Sequence, residues 1–181
     1  ENGRSCRCPA GWGGSACQWG RCEQRNPLDF QNDGKTFALL LERSNATKGT
    51  IDFLAKNLDT VLEVATAAHP DWFKYYVVLS FDINGNIDPI RINSDIPTTM
   101  HELQSVADSI TDADLSGCRM PIFEAISSLF LQDRYLDGAE VLLISAAYPL
   151  DADVANVLAA KENFGTNHPV IDYLHLENSA C

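Results

Sequence analysis

Polar side chains gather where the first apolar segment of the chain ends. The stretch 39–50, LLLERSNATKGT, places Glu42, Ser44 and Asn45 between a run of leucines and a helical pattern. In open α/β sheets, ligands bind just beyond the carboxyl ends of strands. A carboxylate and a hydroxyl there suit a hard cation, whereas the sequon at 45–47 accepts an N-linked sugar. The turn therefore predicts a metal site or a glycan site, and Ser44 or Asn45 can also cap the helix.

Composition limits the classes of protein that fit. The chain has 181 residues, of which 45% are hydrophobic, enough for one packed domain and a small appendage. Its net charge of −12 disfavours nucleic acid, because phosphate binding relies on clustered Lys and Arg. Since no apolar run reaches the roughly 18 residues of a membrane span, we expect membrane contact only through other parts of a parent protein.

Charge and cysteine content divide the chain into two modules. Residues 1–25 hold four arginines and two glutamates, which leaves nine basic and 23 acidic residues, a balance of −14, for residues 26–181. Four of the six cysteines lie in the glycine-rich opening, which is too small to build a core without disulfides. An even cysteine number is typical of an oxidising, extracellular compartment. We expect a disulfide-rich module at 1–25, a linker at 26–34 and a domain at 35–181.

Apolar periodicity sets the order of elements in the larger module. Segments 36–42, 139–147 and 169–177 read as strands, and two more strands joined by the Asn-Gly turn of NGN (84–86) read as a hairpin. Helical patterns between them cover 48–69, 100–110, 122–132 and 151–165. This order predicts a doubly wound, mostly parallel α/β sheet with one antiparallel edge strand.

The helical patterns also predict ends and inward faces. Pro70 is the expected stop of the first helix, Thr98 or Thr99 the cap of the second, and Pro121 the start of the third. The predicted inward positions of the first helix are Ile51, Leu54, Leu58, Val61, Leu62 and Ala65. Those of the third are Ile122, Ala125, Ile126, Leu129 and Phe130.

Residues 35–181 resemble a von Willebrand factor A-like domain, in the version found in hemicentins and related secreted proteins. Four stretches carry the likeness: LLLERSNAT, IDPIRINSDIPTTMHELQSV, LSGCRMPIFEAI and EVLLISAAYPLD. The resemblance implies a cation above the sheet, held by a D-x-S-x-S or D-x-T-x-S turn, a side chain before a later helix and an Asp closing the fourth strand. It also implies a role in adhesion or matrix recognition.

The expected cation ligands are altered in this sequence. By the resemblance, Glu42 stands at the first Asp and Ala46 at the second hydroxyl, while Ser145 and Ala146 replace a Thr and an Asp. Because a methyl group has no lone pair for a cation, we expect a non-functional metal site and no cofactor. The alternative is a Mg²⁺ or Ca²⁺ adhesion site with the altered ligands Glu42, Ser44 and Ser116.

The opening segment resembles the C-terminal half of an EGF-like module. The motif C-x-C-P-x-G-W-x-G-x-x-C runs from Cys6 to Cys17, and the resemblance implies a Cys8–Cys17 bridge. In a complete module the cysteine at the Cys6 position pairs with an earlier one that this sequence lacks, so we predict a Cys6–Cys22 bridge instead.

The two remaining cysteines lie in the larger module. Cysteines recur at similar places in hemicentin-like relatives, which favours a Cys118–Cys181 bridge. The alternative is Cys22 with Cys181, which would tie the two ends of the domain together.

Catalysis finds little support in the sequence. No G-x-S-x-G, H-E-x-x-H or P-loop motif occurs, and the acidic loops at 112–115 and 149–153 are more typical of helix capping than of acid/base work. We therefore expect an extracellular, non-enzymatic module that binds a protein partner, with a glycan on Asn45 covering the face of the altered metal site. A hydrolase using the acidic loops is the remaining alternative.

Overall fold

A computed structural model describes residues 35–67, 72–114, 117–130, 139–150 and 170–178. The chain divides into two units, Glu1–Asp33 and Gly34–Cys181, and every described residue belongs to the second. Its strands are β1 (Lys35–Glu42), β2 (Phe73–Phe81), β3 (Arg91–Asn93), β4 (Arg119–Met120), β5 (Glu140–Ser145), β6 (Tyr148–Pro149) and β7 (Val170–His175). Its helices are α1 (Asn45–Ala65), α2 (Ile96–Ser109) and α3 (Ile122–Phe130).

Five strands form the main sheet, in the order β3-β2-β1-β5-β7. All neighbours are parallel except β2 and β3, which pair antiparallel at one edge. The predicted mostly parallel α/β sheet with an antiparallel edge strand is thereby confirmed. Strand order reverses between β1 and β5, and such a switch point is where open α/β sheets usually bind ligands.

The central strand β1 is buried on both faces, as its continuous apolar sequence predicts. Ala38 and Leu40 pack in the core cluster with α3, while Leu39 and Leu41 pack in the cluster with α1 and α2. Because successive strand residues point to opposite faces, one run of apolar residues supplies both cores.

Helix α1 covers one face of the sheet through part of its predicted apolar stripe. Ile51, Leu54, Leu58 and Leu62 are buried, but Val61 is 36% exposed and Ala65 is exposed as well. The prediction was wrong for these last two, because α1 contacts the core through a face that does not reach them. Its end at Ala65 precedes Pro70, which lies outside the described residues.

Helix α2 begins earlier than its sequence pattern predicts. Asp95 is the N-cap, and its side chain accepts a 2.7 Å hydrogen bond from the Thr98 amide. The predicted Thr98 and Thr99 caps were wrong: Pro97 occupies the first turn, where a missing amide costs nothing. The Thr99 side chain is buried and its hydroxyl donates to the Asp95 carbonyl. Lys48 of α1 donates to the Ile110 carbonyl at the other end of α2 (2.9 Å).

Helix α3 covers the opposite face and follows Pro121, as predicted. Ile122, Ala125, Ile126 and Leu129 are buried in its core cluster; the side chain of Phe130 lies outside the described part. At the hairpin, Gly85 adopts φ 79°, which glycine tolerates readily. The second hairpin strand, which the sequence pattern predicts at 87–92, is observed as β3 at Arg91–Asn93.

Several predictions concern residues outside the described ranges: the module at 1–25, the linker at 26–34, the helix at 151–165, Ser116 and five of the six cysteines. In the described part, no helix is long and apolar enough to cross a membrane.

Candidate functional site

The ends of β1 and β5 bring together residues that lie about a hundred positions apart in sequence. Glu42 ends β1 and Ser145 ends β5, and the two strands are direct neighbours in the sheet. Both residues are fully buried. The sequence resemblance places altered cation ligands at these positions, so the switch point is the candidate site.

The Glu42 carboxylate bonds to the end of β5 from within the protein. Its Oε2 atom accepts one hydrogen bond from the Ser145 hydroxyl (2.5 Å) and another from the Ala146 amide (2.9 Å). The Ser145 oxygen in turn accepts from the Ala147 amide at 3.1 Å. We call Glu42, Ser145 and Ala146 the Glu42 network. It joins the two strands across the position where a ligand would enter.

Strand β7 extends this polar cluster toward the surface. The Tyr173 hydroxyl donates to the Ala147 carbonyl (2.7 Å) and lies 2.9 Å from Nδ1 of His175. The pKa of Tyr173 is raised, mainly by burial. A hydrogen bond with Ser145 lowers this pKa in part, whereas the charges of Glu42 and Tyr148 raise it further. Tyr173 thus reports on the electrostatics of the buried carboxylate.

Ser44 lies beside the Glu42 network but faces the start of α1. It is the N-cap, and its amide donates to Oγ1 of Thr47 (3.3 Å). The Thr47 hydroxyl donates to the carbonyl of Glu42 (2.6 Å), and both Ser44 and Thr47 are fully buried. The capping role that the sequence offers for Ser44 is therefore the one observed, and Asn45 is the first helical residue.

Arg43, the next residue after Glu42, connects β1 to its other neighbour. Its guanidinium forms ion pairs with Asp82 (3.2 Å) and Asp88 (3.0 Å), both in the loop that follows β2. Ser80 also donates to Asp88. We call Arg43, Asp82 and Asp88 the Arg43 ion pairs. Consecutive residues thus fix the end of β1 to both neighbouring strands.

Asp82 has a second function in the hairpin. Its carboxylate accepts hydrogen bonds from the amides of Asn84 and Asn86, both at 2.9 Å. Burial alone would raise the pKa of Asp82, but hydrogen bonds from Asn86 and Asn84 and the charge of Arg43 outweigh it and lower the pKa. The carboxylate is therefore held in its charged form.

The hydrogen bonds described at the switch point engage one oxygen of the carboxylate that a cation would use. Amide and hydroxyl donors point at Oε2 of Glu42, where a metal ligand would need its lone pairs for the ion. Ala146, which the sequence resemblance aligns with an Asp, is buried, and its amide donates to Glu42 in this network. Ser116, the third alternative ligand, is not described. In the described part of the chain, no group of three or more His, Cys, Asp or Glu side chains is arranged to hold a metal.

Asn45 lies on the exposed rim of the same turn. Its side chain is exposed, while its amide donates to the Asp114 carbonyl at 2.8 Å. Thr47, the hydroxyl residue of the sequon, is buried against Glu42. The acceptor amide is thus accessible in the folded protein, but the sequon hydroxyl is engaged. Attachment of a glycan would have to precede the folding of α1.

The acidic loop at 112–115 is used locally. Oδ2 of Asp114 accepts from the amide (2.6 Å) and the hydroxyl (2.8 Å) of Thr111, and these bonds lower the pKa of Asp114. A carboxyl with a lowered pKa is a poor general acid at neutral pH. Asp114 therefore stabilises a turn. The second acidic loop, at 149–153, is described only as far as Leu150.

The loop before α3 is held to the segment after β5. Strands β4 and β6 pair in parallel, and the Tyr148 amide donates to the Cys118 carbonyl at 3.1 Å. Cys118 forms a disulfide, whose partner lies outside the described residues. The Cys118–Cys181 pairing stays a prediction.

Sequence reasoning missed the internal partners of Glu42 and both partners of Arg43. Ser145 was recognised only as a replaced ligand, although its hydroxyl donates to Glu42 at 2.5 Å. The signal available in the sequence was a glutamate at the end of one apolar strand and a serine at the end of another, which can form a hydrogen bond with each other.

Comparison with known proteins gives one distant similarity. No family model matches the chain. Protein irg-7 of Caenorhabditis elegans is 24% identical over 179 residues, which cover 98% of this chain but 8% of that protein. The chain thus spans a small fraction of the curated relative it matches. At this identity the match is a similarity and does not establish a family.

Proposed function

We propose that the chain is an extracellular, non-enzymatic protein-interaction module in which a von Willebrand factor A-like domain follows part of an EGF-like module. The main support is the Glu42 network: the crevice where doubly wound folds bind ligands is bridged internally by a buried carboxylate. A site closed in this way leaves the outer surfaces of the domain for recognition. The partner is a protein of the extracellular space, in a matrix or at a cell surface.

An Mg²⁺- or Ca²⁺-dependent adhesion site is the competing proposal, with Glu42, Ser44 and Ser116 as ligands. A cation at these residues would have to compete with the two hydrogen bonds that Oε2 of Glu42 accepts and with the contact between the Ser44 and Thr47 hydroxyls. An ion whose Kd is one hundredth of its free concentration would stabilise the folded state by about 2.7 kcal/mol.

Thermal unfolding separates these two proposals. We expect the same Tm in EDTA and in millimolar Mg²⁺ or Ca²⁺. A Tm that rises with the logarithm of the ion concentration, and does not rise in Glu42→Gln, would favour the adhesion site and overturn the closed-site proposal.

The extracellular assignment needs a separate experiment. In protein from a secretory host, peptide mapping should find Asn45 glycosylated and the bridges Cys8–Cys17, Cys6–Cys22 and Cys118–Cys181. The variant Thr47→Ser keeps the sequon, whereas Asn45→Gln removes it and serves as the control. Free thiols together with an unmodified Asn45 would contradict secretion.

A further inference from the structure

A groove of about 380 Å³ lies near the amino ends of the parallel strands. The Glu42 network lies at their carboxyl ends. The groove is formed by the end of α1 and the starts of β2 and α2. Its floor is largely apolar and aromatic, and two carboxylates lie on its α1 side. The floor residues are Leu62, Phe73, Tyr76 and Ile96, and the carboxylates are Asp59 and Glu63.

The two carboxylates are placed where they weaken α1. Asp59 and Glu63 are four residues apart, and like charges at that spacing repel each other on a helix surface. Glu63 lies in the last turn of α1, where the helix dipole favours cations, and this turn carries no basic residue. Among the described side chains, neither carboxylate forms an ion pair. A cation placed between the two carboxylates would relieve their repulsion.

A third carboxylate adds to the negative potential of the groove. Asp95, the N-cap of α2, precedes Ile96. Burial raises the pKa of Tyr76 in the groove floor, and the charge of Asp95 raises it further. The groove thus combines a largely apolar and aromatic lining with two carboxylates of α1, and Asp95 lies next to its lining residue Ile96 in the sequence.

We propose that this groove binds an arginine or lysine side chain presented by a partner protein. The methylene stem would lie on the half-buried side chains of Phe73 and Ile96, and the cationic head would lie between Asp59 and Glu63. Long basic side chains combine an apolar stem with a charged head, and an arginine head also stacks on aromatic rings. A second copy of the chain is a poor occupant, because each copy carries a net charge of −12. The inference rests on the proposed function of a protein-binding module and names the chemistry of its partner.

A peptide titration tests the proposal on the full chain. The probe is a blocked tripeptide, Leu-Arg-Leu, and its match replaces arginine with neutral citrulline, which has nearly the same shape. Amide chemical shifts recorded by NMR should change at Leu62, Tyr76 and Ile96. We expect the arginine peptide to bind about three- to tenfold more tightly, as two exposed charge pairs allow. Equal affinity, or shifts confined to other surfaces, would overturn the groove.

Charge-matched variants separate the groove from general attraction to an acidic protein. Asp59→Asn with Glu63→Gln should abolish the preference for arginine and raise Tm, because it removes repulsion within α1. The control, Asp112→Asn with Glu124→Gln, removes the same charge elsewhere and should keep the preference. An equal loss in both double variants would contradict the proposal.

Failure of the groove and failure of the proposed function give different results. If neither peptide binds but Asn45 is glycosylated and the bridges form, the groove is wrong and the interaction module stands. If arginine binds selectively to a chain with free thiols and an unmodified Asn45, only the extracellular assignment is wrong.

Discussion

The carboxyl end of β1 is attached to its two neighbouring strands by different kinds of interaction, although the two residues involved, Glu42 and Arg43, are consecutive. On the β5 side, the fully buried Glu42 accepts hydrogen bonds from an uncharged hydroxyl and an amide. On the β2 side, the 22% exposed side chain of Arg43 forms ion pairs with two carboxylates. The end of β1 is thus attached to β5 by buried hydrogen bonds and to the loop after β2 by partly exposed ion pairs.

The difference predicts unequal contributions to stability. Buried donors that lose their acceptor keep the full cost of desolvation, whereas partly exposed ion pairs are screened by salt and contribute little. The Glu42 network should therefore dominate the stability of the switch point, and the Arg43 ion pairs should adjust it.

Removing the Glu42 side chain should have the largest effect. In Glu42→Ala, the Ser145 hydroxyl and the Ala146 amide lose their acceptor and a cavity forms, so we expect a loss of about 3 kcal/mol in the free energy of unfolding. Glu42→Gln keeps an acceptor oxygen and nearly the same volume, and should cost less than half as much. Urea denaturation followed by circular dichroism measures both.

The partner of Glu42 supplies the control. In a double-mutant cycle of Glu42→Ala with Ser145→Ala, in which each single variant removes the hydrogen bond between the two side chains, we expect a coupling energy of about 1 kcal/mol. Additive effects would show that the two side chains do not depend on each other, and the comparison between the two sides of β1 would lose its basis.

Much of this fold follows from the sequence, since β1 and β5 are marked by apolar runs and the hairpin by Asn-Gly. Local errors arose where a pattern has more than one solution. Thr98 and Asp95 both precede an apolar helical repeat, and only the position of Pro97 in the first turn distinguishes them. Val61 matches the helical period, but whether a residue is covered depends on the packing of neighbouring elements.

The site was harder to predict than the fold. The sequence places Glu42 and Ser145 at strand ends, and the structure brings these two ends together because the strands are parallel neighbours. Their partners depend on register: Leu41 lies opposite Ile144, so that Glu42 reaches Ser145 and the amide that follows. A sequence pattern does not contain the register between strands that lie a hundred residues apart.

Breaking the Arg43 ion pairs should have a smaller effect that depends on salt. Arg43→Gln removes both ion pairs and should cost about 1 kcal/mol at low ionic strength, with much of the difference from wild type lost in 1 M NaCl. Urea denaturation at several salt concentrations measures this. The Glu42→Gln difference should change little with salt, and a strong salt dependence there would contradict the division into a buried and an exposed attachment.

The smallest expected effects are changes in the pH dependence of stability, at acidic and at alkaline pH. Asp82 reports on the β2 side of β1 and Tyr173 on the β5 side. The pKa of Asp82 is lowered from 3.8, so its contribution to stability is present above that pH and is lost as the pH falls through the folded-state pKa. The pKa of Tyr173 is raised from 10.0, so its contribution is present below that pH and is lost as the pH rises through the folded-state value.

Single variants should therefore act at opposite ends of the profile. Asp82→Asn should flatten the acid limb of the free energy of unfolding and leave the alkaline limb unchanged, while Tyr173→Phe should weaken only the alkaline limb, where Tyr76 also titrates. Glu42→Gln sharpens the test, because removal of the nearby negative charge should lower the pKa of Tyr173 in an ultraviolet titration of tyrosinate. If Arg43→Gln lowered the pKa of Tyr173 as much as Glu42→Gln does, the electrostatic environments on the β2 side and the β5 side of β1 would not be separate.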